Sequence, residues 1–466
     1  MFSIPDFGDR RRGFLKGSIA LALSPWLAHA AQAAAARRLS VRVAQASLVG
    51  AGNPRTEVWG YDGAVPGPEL RYRQGERLRI EVENLLAVGT TVHWHGLRLP
   101  NAMDGVPHLT QAPIAARGGR FVYEFDLPDA GTYWYHPHLG TAEQLGRGLS
   151  GALIVEEPTP FPVDRDLSWV LSDWRLDRAA RITADFESPM DASHAGRIGN
   201  TVTVNGAIRE TFEVRAGERL RLRLINASNA RIYGLRFEGH APRVIALDGH
   251  PVEAHGPANN QVILGPGMRA DLLLDCSGAP GAIHRVLDDF YSRRPYRLLD
   301  LRYGAERATS GRAGAPLAEL APNPLAQPDL VRAERRRIVF GGGMMGAMPS
   351  QREHRGVYWT IDGNPVHERD HLHAPLLTLA RGGSYLIELV NQTSWHHPIH
   401  LHGHAFLVLT RDGQPIMRPH FADTVLLEPD SRAQIALVAD NPGDWMLHCH
   451  VLEHQASGMS AVVRVV

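Results

Sequence analysis

The chain is predicted to be all-β, built as three antiparallel β-sandwich domains, and three observations carry that reading. One strand unit occurs three times at domain-sized spacing, helical periodicity is sparse, and short alternating runs are punctuated throughout by Gly and Pro. At 466 residues, 44% of them hydrophobic and 21% charged, the chain is long enough for about three globular cores of ~150 residues.

Residues 1–33 read as an address. Arg10-Arg11-Arg12-Gly13-Phe14-Leu15-Lys16 precedes an apolar run from about Ser18 to Leu27, with small-residue cleavage signals at Ala28-His29-Ala30 and Ala31-Gln32-Ala33. This resembles a twin-arginine signal, with Arg11 and Arg12 as the pair. It implies export of a folded protein by the twin-arginine translocase to a bacterial periplasm. Lys+Arg and Asp+Glu both total 49, and loss of 1–33 removes four basic and two acidic residues, leaving a net charge of −2. No basic field exists to collect nucleic acid. No later apolar run reaches the ~18 residues of a transmembrane helix, so no membrane insertion of the mature chain is expected.

The repeated unit opens on a glycine turn, continues as a strand of alternating apolar and polar residues, and closes on Asn nine positions after the glycine. Its three copies run Gly75–Asn84, Gly217–Asn226 and Gly382–Asn391. Nine residues beyond each Asn stand His93, Leu235 and His400, and two further on stand His95, Phe237 and His402. Copies one and three thus carry His-x-His on one strand face, where the middle copy is apolar. A second correspondence matches Gly131…His136-Pro137-His138 to Gly443…His448-Cys449-His450, with proline where the last copy has a thiol. The domains expected are 38–157, 158–305 and 331–466. Glu157-Pro158-Thr159-Pro160 marks the first boundary, and a Gly/Ala/Pro-rich linker over 306–330 precedes the last domain.

The chemistry is concentrated near the C-terminus, in His448-Cys449-His450-Val451-Leu452-Glu453-His454 with Met459 five residues on. In an extended segment His448 and His450 face one way and Cys449 the other, so two metal sites can share three consecutive residues. Cys449, His454 and Met459 with one further histidine would make a His2Cys site with a weak axial thioether, which suits an electron-transfer copper. The other cysteine, Cys276, follows Leu272-Leu273-Leu274-Asp275 and reads as a small buried thiol at a strand end. A Cys276–Cys449 disulfide is the alternative that would abolish the site.

Four histidine clusters now stand together: His93-Trp94-His95-Gly96, His136-Pro137-His138, His397-Pro398-Ile399-His400-Leu401-His402-Gly403, and the C-terminal run. In this order they resemble the four copper-binding motifs of the multicopper oxidases. The resemblance spans the mature chain and leaves no motif position substituted. It implies three cupredoxin-like Greek-key β-sandwich domains and four copper ions. By position, the type 1 copper takes His397, Cys449, His454 and axial Met459, and the type 2 copper takes His93 and His400. The type 3 pair takes His95, His136, His138, His402, His448 and His450. The resemblance further implies that Cys449 carries electrons from the type 1 copper to the cluster, which lies between domains 1 and 3. Asp104, in Met103-Asp104-Gly105, matches an acidic residue that the family places near the cluster for proton delivery; otherwise it is a turn aspartate. Asp423 is expected to be structural and receives no role. His396 and His404 are expected to pack around the ligands.

The implied reaction is one-electron oxidation of small reductants coupled to four-electron reduction of O2 to water. A laccase-like oxidase of phenols and aromatic amines is the leading expectation. A cuprous oxidase for copper tolerance is the alternative, with Met344, Met345 and Met348, and His354 after them, as a possible Cu(I) patch; the other reading of that stretch is a Gly-rich loop. A copper-free structural protein of cell division shares the fold. It is set apart by loss of ligands, and none of the twelve is lost here.

Overall fold

The computed structural model describes residues 37–344, 356–367 and 374–466. The address at 1–33 and the residues Met345, Met348 and His354 lie outside the described residues. The expected all-β fold of three cupredoxin-like sandwich domains is what the chain adopts.

The repeated strand takes the same place in each domain. Arg77–Asn84 runs parallel to Arg37–Ala46 and antiparallel to Gly119–Asp126. Arg219–Asn226 runs parallel to Arg165–Trp174 and antiparallel to Arg269–Asp275, and Ser384–Asn391 runs parallel to Glu334–Gly342 and antiparallel to Arg432–Val438. The closing Asn explains itself chemically. Asn84, Asn226 and Asn391 each accept from the backbone N–H two residues on, and each donates to a carbonyl of its own loop and to one on a neighbouring loop. A buried amide with donors and acceptor satisfied in this way sets the loop that leads to the ligand strand.

That second strand lies in the facing sheet of each sandwich. His93–His95 pairs with Gly131–His136, placing His93 opposite His136, and His397–Leu401 pairs with Gly443–Cys449, placing His400 opposite His448. In the middle domain Leu235 and Phe237 occupy the equivalent positions and are fully buried. They pack in a separate apolar core with Trp169, Leu222, Leu272 and Cys276. Cys276 is a free thiol at the end of Arg269–Asp275, as expected, and burial pushes it up to about 12.

Arg219–Asn226 alternates as expected, and its polar residues Arg219, Arg221 and Arg223 are all buried. Their guanidinium groups pair with Asp275, Asp271 and Asp166, and Arg223 also reaches Thr132 of the first domain. The polar face of this strand therefore packs against a neighbour, which single-strand periodicity cannot report.

The first and third domains share one continuous apolar cluster, from Leu39, Ile80 and Trp94 through Ile338, Ile399 and Trp445. The ligand strands converge on the seam between those halves. Of the connecting segment 306–330, Asn323 donates to Ala130 O at 2.8 Å and accepts from Ala130 N at 2.9 Å, so the segment is tied back onto the first domain. Among the described residues no helix is long and apolar enough to cross a membrane.

Candidate metal centre

Eight of the buried histidines draw into a single cluster. His93, His95 and His400 form one group whose ligand atoms lie within 4.8 Å of one another; His95, His136 and His450 form a second, and His138, His402 and His448 a third. His93 stacks on His402 with ring centroids 3.9 Å apart, and His95 stacks on His400 at 3.8 Å, so rings from the first and third domains interleave in pairs.

Four of these imidazoles are held by Nδ1 through a main-chain carbonyl. His93 Nδ1 donates to Asp104 O at 2.9 Å, His136 Nδ1 to Pro137 O at 2.9 Å, His400 Nδ1 to Asp423 O at 2.9 Å and His448 Nδ1 to Cys449 O at 2.9 Å. These bonds fix the tautomer and leave a lone pair facing inward. The inward nitrogens of His93, His95, His136, His138 and His400, and both nitrogens of His450, are buried with no hydrogen-bond partner. An orphaned buried acceptor costs roughly 1–3 kcal/mol. Lone pairs gathered from six histidines in one dry cluster are accounted for by bound cations, and neutral imidazole nitrogen suits copper. Burial holds the imidazoles of His95, His136, His138, His402, His448 and His450 well below their ordinary range, so each is available as a neutral ligand.

Two aspartates brace the cluster from opposite sides. The Asp104 carboxylate takes His402 Nδ1 at 2.9 Å, while its main-chain carbonyl takes His93. Asp423 repeats the arrangement: its carboxylate takes His95 Nε2 at 3.1 Å, and its carbonyl takes His400. His95 is thereby turned to present Nδ1, where its neighbours present Nε2. Asp104 closes the turn Asn101–Met103 and is 1% exposed, with its carboxylate on a cluster histidine. Asp423, which sequence reasoning left without a role, is its counterpart. The one available signal was its Ala422-Asp423-Thr424 setting opposite the His397–Leu401 strand, and that pairing is not visible in sequence. Glycine is required beside both aspartates. A Cβ on Gly96 (φ +88°) would collide with Arg269 and Asp423, and one on Gly105 (φ +82°) with the main chain of Val92.

The sulfur cluster is built separately. His397 Nδ1 lies 3.5 Å and His454 Nδ1 3.7 Å from Cys449 Sγ, and the two nitrogens are 3.1 Å apart. A point equidistant from all three donors lies about 2.0 Å from each, the length of a metal–imidazole bond of ~2.0–2.1 Å. His397 Nε2 bonds Thr393 Oγ1 at 2.7 Å, and His454 Nε2 donates to His194 O at 2.6 Å. His454 rides on a short helix, Leu452–Ala456, inserted between Cys449 and Met459. Met459 is fully buried, and its carbonyl accepts from Cys449 N at 3.1 Å. Burial pushes the Cys449 thiol well above its ordinary range, so a thiolate forms there only where a cation replaces the proton. Both cysteines are free, which removes the disulfide alternative.

Of the remaining expected residues, His404 is buried with Nδ1 on His402 O, and its ring packs edge-on against Trp445. His396 packs against Phe290 at 5.4 Å. Met344 lies at the surface, its N–H on Ser193 O at 2.9 Å.

Comparison with known proteins places the chain in a family. Three family models, each described as multicopper oxidase, match residues 42–160, 165–282 and 348–466. The chain is 30% identical to the multicopper oxidase MmcO of Mycobacterium tuberculosis, over 97% of this chain and 95% of that one. It is 27% identical to a copper resistance protein A homolog of Pseudomonas syringae pv. tomato, covering 89% and 90% of the two chains. It is 28% identical to a laccase of Cryphonectria parasitica, covering 85% and 76%. Among solved structures, the multi-copper oxidase of Pseudomonas thermotolerans is 39% identical with a TM-score of 0.83, covering 92% of this chain and 98% of that one. With the donor set, its orphaned nitrogens and these relatives in agreement, the chain belongs to the multicopper oxidase family and is a copper-dependent oxidoreductase that uses O2 as electron acceptor.

Proposed function

We propose that the protein is a laccase-like oxidase holding four copper ions in the third domain (331–466) and at its seam with the first (38–157). His397, Cys449, His454 and Met459 would hold the type 1 ion, and His93 and His400 the type 2 ion. The type 3 pair would be held by His95, His136 and His450 on one side and His138, His402 and His448 on the other. The observation that carries this reading is the set of buried, partnerless imidazole nitrogens facing one another across the two domains. Copper bound there supplies one-electron steps at the sulfur site and a multi-electron sink for O2 at the histidine cluster.

The chain's own residues do the rest. Cys449 joins the two sites through its main chain to His448 and His450, a covalent path of adjacent residues. Asp104 and Asp423 hold the ring orientations, and the Asp104 carboxyl, bonded to His402, would also supply protons for the reduction of O2. The buried seam keeps bulk water from the cluster histidines.

The N-terminal address supports a periplasmic location after twin-arginine export. The second reading, a cuprous oxidase for copper tolerance, is favoured by one feature. Met344 is tied to Ser193 and Met190 is exposed, both beside the segment whose His194 carbonyl caps His454. Copper-reconstituted protein assayed by visible and paramagnetic-resonance spectroscopy with phenols and Cu(I) as donors separates the readings. Phenol turnover without added copper is expected. Activity only with excess copper would favour the second, and a folded protein that takes up no copper would overturn both.

A further inference from the structure

A cavity near the sulfur cluster has a volume of about 1570 Å³ and lies between the second and third domains. Its lining approaches the cluster in three places. His396 precedes His397; Val451 lines the cavity and donates its N–H to Cys449 Sγ at 3.4 Å; Ala195 follows His194, whose carbonyl takes His454 Nε2. Both cluster imidazoles are fully buried. A reductant in the cavity therefore meets no open ligand edge, and these flanking residues lie between it and the cluster.

The cavity wall has a definite chemistry. Phe290, Tyr291, Tyr296 and Trp395 supply aromatic faces, and the buried Trp395 indole N–H has no acceptor among the described residues. Five arginines line it against one carboxylate, Glu428. Three of the five are matched nearby: Arg175 by Asp185 and Asp191, Arg231 by Asp173, and Arg297 by Asp300. Arg293 and Arg294 are exposed, and neither forms an ion pair among the described residues. Their loop is held by Tyr296 Oη on Asp288 at 2.7 Å and by Arg294 N on Tyr291 O at 2.7 Å, so the two cations sit on an anchored turn.

Resting on the oxidase reading above, we propose that this cavity receives the reductant and that Arg293 and Arg294 select small phenols bearing a carboxylate or sulfonate. The ring lies among the aromatic side chains, and the anionic group faces the guanidinium groups, which bind such oxygens as a planar fork. Four such phenols each lose one electron and the phenolic proton to become phenoxyl radicals. The four electrons and four protons convert one O2 to two waters.

The test compares 4-hydroxy-3,5-dimethoxybenzoate with its methyl ester on the copper-loaded wild type and on R293Q/R294Q. The ratio of kcat/KM for acid over ester is expected to fall about tenfold in the double variant, chiefly through KM, the size of one lost charge-assisted contact. Glu428→Gln, which removes the opposing carboxylate, is expected to raise the same ratio. Calorimetric titration of the copper-free protein with benzenesulfonate gives a readout independent of turnover, with affinity expected to weaken about tenfold in R293Q/R294Q. A ratio and an affinity unmoved by either variant would overturn the proposal and leave the oxidase reading standing. Failure of every phenol, acid or ester, to reduce the copper-loaded wild type would overturn both.

Discussion

Arg269 closes a bidentate ion pair on Asp423, with Nη1–Oδ1 at 2.8 Å and Nη2–Oδ2 at 2.6 Å, and the same carboxylate takes His95 Nε2. The arginine comes from the middle domain, the aspartate from the third and the histidine from the first. Arg269 also donates to Thr132 O and to Asp248 O, so one fully buried guanidinium ties all three domains at the rim of the histidine cluster. The domain without a ligand pair thus orients ligands through this contact. Burial alone would raise the Asp423 carboxyl, but Arg269 and the His95 and His400 rings outweigh it and hold it well below the usual range. Burial and the charge of Asp423 instead push Asp248 up to about 7.

Replacing Arg269 strands a buried carboxylate, which costs roughly 3–5 kcal/mol when one partner of such a pair is removed. Arg269→Met is therefore expected to lower the thermal midpoint and to reduce copper retained by the histidine cluster, while the intense visible band of the sulfur site persists. Arg269→Lys should recover part of the copper content, since it restores charge without the two-pronged fit. Metal analysis beside the visible spectrum decides it. Full copper content in Arg269→Met would refute the positioning role.

Cys449→Ser should abolish the intense blue band and reductant oxidation while keeping about three coppers per chain, because the serine hydroxyl is a poor ligand for this soft site. The histidine cluster has its own donors and its own bracing aspartates. Loss of all copper in this variant would show that the two sites do not load independently.

Asp104 is asked to do two things that separate by substitution. Asp104→Asn retains an acceptor for His402 Nδ1 but cannot hold a transferable proton. Turnover is expected to fall about 100-fold at unchanged copper content, the lower end of what a positioned acid contributes. Wild-type turnover in Asp104→Asn would reduce Asp104 to its orienting bonds.

Acid should weaken the copper-free fold in a defined direction. Burial lowers His250 to about 4 and His454 to about 3, against ~6.5 for an exposed imidazole. The unfolded chain therefore takes up protons first as pH falls. The stability these neutral rings contribute is complete above ~6.5 and is lost as pH drops toward their folded values, at up to ~1.4 kcal/mol per pH unit for each group. Urea denaturation of copper-free protein between about pH 7 and about pH 4.5 should show that decline, and His250→Asn should flatten it by its own share. An unchanged slope would mean that His250 is not held neutral.

Sequence alone determined the candidate donors, because their motifs are local. His93 and His95, or His448 and His450, share a face by strand parity, and the recurring Asn84, Asn226 and Asn391 mark equivalent strands before any contact is known. The third copy's Cys449 in place of Pro137 likewise told which domain holds sulfur. What only the tertiary structure decided are relationships between residues far apart in sequence. Asp423 meets Arg269 across 154 positions and His95 across 328. The carbonyl of His194 closes over His454 across 260. Parity and spacing describe one strand at a time, whereas burial against another domain decides which carboxylate must find a cation and which polar face stays dry. For that reason Asp423 and the Arg219–Arg223 face escaped the sequence reading.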